Sequence, residues 1–151
     1  MKRFATILLA FVLVSALFTP ALAAEENTQV IAVQETALEN GITVVDEILE
    51  SAQSRSTDKS YTRKRSFYDG DTLIAVIAFD AVFRYDGSTV SVVSKSVTQT
   101  DTYDSWNYSQ TSFTSSGGTV TLSGKLTKWL VFNNSFSMGM TCDANGNISF
   151  S

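Results

Sequence analysis

From residue 61 onward, apolar and polar residues alternate with a period of two, and the alternation is interrupted at short intervals by Gly, Asn and Asp. That is the pattern of strands joined by tight turns. The longest run, Thr72 to Tyr85, meets Asp86-Gly87 and then a second alternating stretch that reaches Thr100. A two-residue turn at Asp86-Gly87 predicts a hairpin pairing Tyr85 with Ser88, Phe83 with Val90, Ala81 with Val92 and Phe79 with Ser94. Side chains alternate across a strand, so Leu73, Ala75, Ile77, Phe79, Ala81, Phe83 and Tyr85 share an unbroken apolar face. The even positions run from Ile74, Val76 and Ala78 to Asp80, Val82 and Arg84. The hairpin is therefore expected to be buried on both sides at its start and wet towards its tip. In this register Asp80 lies diagonal to Lys95, and a partly exposed ion pair worth about 0 to 1 kcal/mol is expected.

The same reading extends in both directions. Tyr61 to Phe67 alternates and enters the hairpin through Asp69-Gly70-Asp71. Beyond the polar stretch Asp101 to Asp104, Ser105 to Thr114 predicts a strand with Trp106 and Tyr108 on one face and Asn107, Ser109, Thr111 and Phe113 on the other. Gly117-Gly118 turns the chain into Thr119 to Lys128, with Val120, Leu122 and Leu126 inward. Ser135 to Cys142 and Asn147 to Phe150 follow, separated by the turn Asp143-Ala144-Asn145-Gly146. About seven short strands at this spacing predict a mainly β protein, an antiparallel β-sandwich over residues 61–151. Between Asp86 and Thr127, 19 of 42 residues are Ser or Thr, so the outer faces are expected to be hydroxyl surfaces. Strands so weakly charged and free of Pro carry an edge-pairing tendency, and self-association through an edge strand is expected.

Residues 24–60 read as an N-terminal arm that is acidic and then basic. Seven acids and no bases lie between Ala24 and Ala52, whereas Arg55, Lys59, Arg63, Lys64 and Arg65 follow within the next segment. The acidic part either folds back on the basic part or is solvated alongside it. Apolar positions 44, 45, 48, 49 and 52 predict a short helix, while the β-branched run Gly41 to Val45 suits a strand pairing with the sheet. The helix is the preferred reading of the two. Arg63-Lys64-Arg65 also has the form of a processing site.

Residues 1–23 combine Lys2 and Arg3, an apolar run from Phe4 to Phe18, Pro20 and the small-residue site Ala21-Leu22-Ala23. This is the pattern of a secretory signal peptide, so a secreted, extracellular protein is expected. Loss of Lys2 and Arg3 with the leader would take the formal net charge from −4 to −6, which argues against nucleic acid as a partner. Cys142 is the single Cys, so no internal disulfide is available; a buried thiol is expected on the strand face Phe136, Met138, Met140, Cys142.

Histidine is absent, which removes imidazole acid-base chemistry, Ser-His-Asp and Cys-His nucleophiles, and His-ligated zinc. The pairs Asp69 with Asp71 and Asp101 with Asp104 sit in predicted turns rather than in a cleft that would raise a glycosidase acid. Asp143, Asn145 and Asn147 lack the repeating acids and closing Glu of a calcium loop. No cofactor, metal or catalytic residue is therefore expected, and the protein reads as a non-enzyme. Tyr103, Trp106, Tyr108 and Trp129 are the candidate ligand-binding residues, because aromatic rings on a hydroxyl-rich β surface stack on sugar faces.

Tyr85-Asp86-Gly87-Ser88, Trp106-Asn107-Tyr108, Gly117-Gly118-Thr119 and the run Thr141-Cys142-Asp143 with Asn145-Gly146-Asn147 resemble small secreted β-rich proteins of Firmicutes, which are uncharacterised. The resemblance covers roughly the last 90 residues, rests on turn residues, and implies a Gram-positive secreted protein without implying an activity. The expected function is an extracellular binding module for a glycan, cell wall or protein ligand. The alternative is a toxin-like or antimicrobial protein that acts on membranes or competing cells through the long hairpin.

Overall fold

The computed structural model describes residues 28–38, 41–51, 58–129 and 132–151. The leader read over residues 1–23 lies outside them. The chain forms β1 (Thr28–Ala37), β2 (Ile42–Ser51), β3 (Asp58–Asp69), β4 (Thr72–Tyr85), β5 (Val90–Thr102), β6 (Trp106–Ser116), β7 (Thr119–Lys128), β8 (Phe132–Cys142) and β9 (Ile148–Phe150). They build two antiparallel sheets, β1-β2-β3-β4-β5 and β6-β7-β8-β9, each strand beside its neighbour in sequence. This is the expected antiparallel β-sandwich, with nine strands where the alternation suggested about seven.

The two additional strands come from the stretch read as an arm. Ile42–Ser51 takes the strand alternative and not the preferred helix. Ile42, Val44, Asp46 and Ile48 alternate inward and are buried, and β2 pairs along its length with β3. The acidic stretch thus folds back on the basic one, with Glu47 bonded to Lys64 at 2.8 Å on the outer side and Glu50 to Lys59 at 2.6 Å on the face that carries Tyr61. Arg63-Lys64-Arg65 lies within paired β3 with Arg63 buried, which withholds it from a processing protease.

β4 is the spine of the core. Its burial follows the expected scheme, closed on both faces from Ile74 to Phe79 and opening at Asp80, Val82 and Arg84. The hairpin register differs from the expected one: Tyr85 pairs with Val90, Phe83 with Val92, Ala81 with Lys95 and Phe79 with Val97. The loop is four residues long because the Asp86 carboxylate accepts the N–H groups of Ser88 and Thr89, at 2.9 and 2.8 Å, and so holds a wider turn. Two-residue loops occur instead at Gly70-Asp71 and Gly117-Gly118. The expected Asp80–Lys95 pair is replaced as well. Asp80 accepts a 2.7 Å bond from Thr62, and the Lys95 ammonium donates to the Phe113 carbonyl.

In β6 a bulge between Gln110 and Ser112 reverses the alternation. Phe113 therefore turns inward with Trp106 and Tyr108, against expectation, and packs on Phe79 with ring centroids 5.4 Å apart. One core joins both sheets, with Phe67, Phe79 and Phe83 from the first and Leu122, Leu126, Met138 and Met140 from the second. The C-terminal ends of β2, β4, β6 and β8 lie at one end of the sandwich, where Gly87 N–H donates to the Ala144 carbonyl at 2.8 Å. The C-terminal ends of β1, β3, β5 and β7 lie at the other.

Candidate functional site

The four candidate aromatics do not form one surface. Trp106 is buried against Phe132, edge to face at 4.6 Å, and belongs to the core. Tyr108 is half-buried and stacks on Phe136 at 6.0 Å; its hydroxyl is enclosed without a hydrogen-bond partner among the described residues, and burial pushes its pKa up. Trp129 and Tyr103 are exposed, Trp129 at 78% in the turn after β7 and Tyr103 at 44% in the turn after β5. These two rings decorate the same end of the sandwich, and Trp129 adopts a left-handed backbone with φ 52°.

The turn acids are committed locally. The Asp143 carboxylate accepts N–H groups of Asn145 and Asn147 and the Asn147 side-chain amide at 2.7 to 2.9 Å, which holds its pKa below the usual range. Its oxygens thus shape the Asp143–Asn147 turn. Asp69 and Asp71 are exposed beside the Gly70-Asp71 turn, and Asp101 takes the Gln99 amide at 2.7 Å. Cys142 is the buried thiol expected, with its pKa pushed to about 11 by burial.

The distinctive chemistry lies between the sheets. A cavity of about 470 Å³ opens between the β1 edge of one sheet and the β8-β9 side of the other. Its floor is set by the inward positions of β2 and β3, where alternation delivers Asp46, Arg63, Arg65 and Phe67 to the inner face. Asp46 accepts from Arg65 through both carboxylate oxygens, Nε at 2.7 Å and Nη2 at 2.9 Å, and from Arg63 Nη2 at 3.0 Å. Arg65 Nη1 reaches across to the Ser137 carbonyl at 3.0 Å and ties β3 to β8. Arg63 is 2% exposed, and its guanidinium lies 4.1 Å from the centre of the Phe150 ring.

Two features make this cluster unusual. Two guanidiniums share one carboxylate, and Arg63 Nε and Nη1 have no hydrogen-bond partner among the described residues. A buried donor without an acceptor costs about 1 to 3 kcal/mol. Burial lowers the Arg63 pKa to about 10, with Asp46 opposing that shift, so the side chain remains cationic at neutral pH. Comparison with family models, with curated proteins and with solved structures finds no match to the chain. The cavity must therefore be read from its own chemistry.

Sequence reading missed this site because no short motif marks it. The available signal was the order of charges: Asp46-Glu47 before the β2-β3 connection mirrors Lys64-Arg65 after it. An antiparallel pair sets Asp46 opposite Arg65 and Glu47 opposite Lys64, as found.

Proposed function

We propose that the protein is a secreted, non-enzymatic binding module that holds an extracellular glycan or cell-wall fragment in the cavity between its sheets. The observation that carries this reading is a cavity of about 470 Å³ whose floor holds a buried guanidinium with unused donors. That volume falls within the roughly 300 to 1,000 Å³ of small-molecule sites. Few convergent polar groups beside apolar rings are what such sites use to orient a ligand, and Phe136 and Phe150 supply the rings. The signal-type leader and the hydroxyl-rich outer strands support an extracellular setting. Exposed Trp129 and Tyr103 offer additional stacking area at the end of the sandwich from which β8 departs.

Pull-down with insoluble glycans and bacterial cell walls tests the reading, using wild type, Thr36→Trp and Trp129→Ala. Thr36 is exposed on edge strand β1 and lines the cavity, so an indole there fills the mouth without disturbing the core. Saturable binding that a folded Thr36→Trp loses supports the cavity. Binding lost only in Trp129→Ala would move the site to the exposed aromatics, and no binding to any wall or glycan would refute the reading.

A further inference from the structure

The cavity narrows the class of ligand, on the reading that it is a binding site. We propose that it takes a carboxylate-bearing sugar, such as a uronic or sialic acid unit, through the free donors of Arg63. The inner face carries two guanidiniums and one carboxylate in contact, which leaves one positive charge without a partner in the cluster. One unmatched charge suits a monoanion better than a phosphate dianion. Charge-assisted bonds to a guanidinium are the strong kind, and a carboxylate is a natural acceptor.

The positions of the unused donors sharpen this. Nε and Nη1 lie on different edges of the planar guanidinium, while Nη2 is engaged by Asp46. A single carboxylate cannot span both edges. A ligand that satisfies them brings a carboxylate to one and a second oxygen acceptor to the other, and a sugar acid carries ring and hydroxyl oxygens beside its carboxylate. Around this anchor, Gln34, Asn134 and Ser135 offer amide and hydroxyl partners for sugar hydroxyls, and the Phe136 ring offers an apolar face. Polar side chains outnumber apolar ones in the lining, while apolar atoms make up the larger share of the exposed wall, as a site that stacks and hydrogen-bonds a sugar ring requires. Both nitrogens are closed to solvent, and Phe150 covers the guanidinium from β9, which pairs with β8 at three positions. Phe150 is the side chain that moves as the carboxylate arrives.

Isothermal titration calorimetry of the purified protein tests this with oligogalacturonate, oligoglucuronate and sialyllactose, each beside its neutral counterpart. The expected result is saturable binding of at least one acidic sugar, about tenfold or more tighter than the neutral one. Arg63→Lys keeps the charge but not the planar donors, so it should lose about tenfold in affinity. Thr36→Trp should abolish binding, and it carries the test if the Arg63 variant does not fold. Equal affinity for acidic and neutral sugars would overturn the acid inference while leaving the binding-module reading intact. Failure of all acidic sugars to bind, or unchanged binding by Thr36→Trp, would also overturn it, and the wall and glycan pull-down would then judge the wider reading separately.

Discussion

Replacing Asp46 by Ala removes the acceptor that both inner-face arginines share. Arg65 has 15% of its side chain exposed and keeps the Ser137 carbonyl, whereas Arg63 is enclosed and has no other anion in contact among the described residues. The loss is dominated by a buried guanidinium stripped of its counter-charge, for which about 3 to 5 kcal/mol is usual. In a domain of this size that lowers the midpoint of thermal unfolding by roughly 10 to 20 °C. Circular dichroism with heat and with urea measures both quantities. Glu47→Ala is the matched control: its pair with Lys64 lies on the outer side with 23% and 36% of the side chains exposed, so its removal should cost about 0 to 1 kcal/mol. Adding Arg63→Met to Asp46→Leu should recover much of the loss, because well-packed apolar side chains replace buried ion pairs at little cost. An Asp46→Ala variant no less stable than Glu47→Ala would refute the reasoning.

Gly87→Ala and Gly146→Ala separate backbone strain from crowding. Both glycines have positive φ, 87° and 84°, but a Cβ on Gly87 meets nothing, whereas one on Gly146 runs into the Tyr85 ring. Denaturation should show a loss of about 1 kcal/mol for the first and clearly more for the second, and equal losses would contradict the docking of Tyr85 on the last turn. Cys142, buried and with a pKa near 11, should resist labelling by a thiol reagent in the native state at about pH 8 and react fully once unfolded; rapid native labelling would contradict its burial. Asp86 and Asp143 have folded pKa values held below the ordinary 3.8 by N–H donors. Their stabilising contribution is full above that value and is lost as pH falls through the lower folded values, so urea midpoints should drop on acidification and drop less in the double Asn variant. Identical acid slopes would remove these turns from the account.

The parts of the fold legible in sequence were those where local pattern and tertiary demand coincide. β4, β7 and the Met138, Met140, Cys142 face of β8 alternate as expected because their inward positions are all apolar. Three features departed because a single residue changed the local rule. Asp86 widened a turn with its own carboxylate, an extra residue in β6 carried Phe113 inward, and Asp46 occupies a core-facing position that polarity alone assigns to solvent. The last departure also concealed the site, since a buried acid becomes intelligible only when the two arginines across the strand pair are placed against it. Among the candidate aromatics, spacing left Trp106 and Trp129 equivalent. Only the turn after β7 separates a core ring from an exposed one.

The most direct test of the cavity as the binding site is an amide chemical-shift map of the isotope-labelled protein, titrated with soluble fragments of whichever wall or glycan it retains. Perturbations concentrated on Gln34, Thr36 and Asn134 to Ser137, with the Arg63 side-chain Nε resonance moving in step, are what the cavity requires. Perturbations confined to Tyr103, Trp129 and their neighbours, with the inner face unmoved, would contradict it.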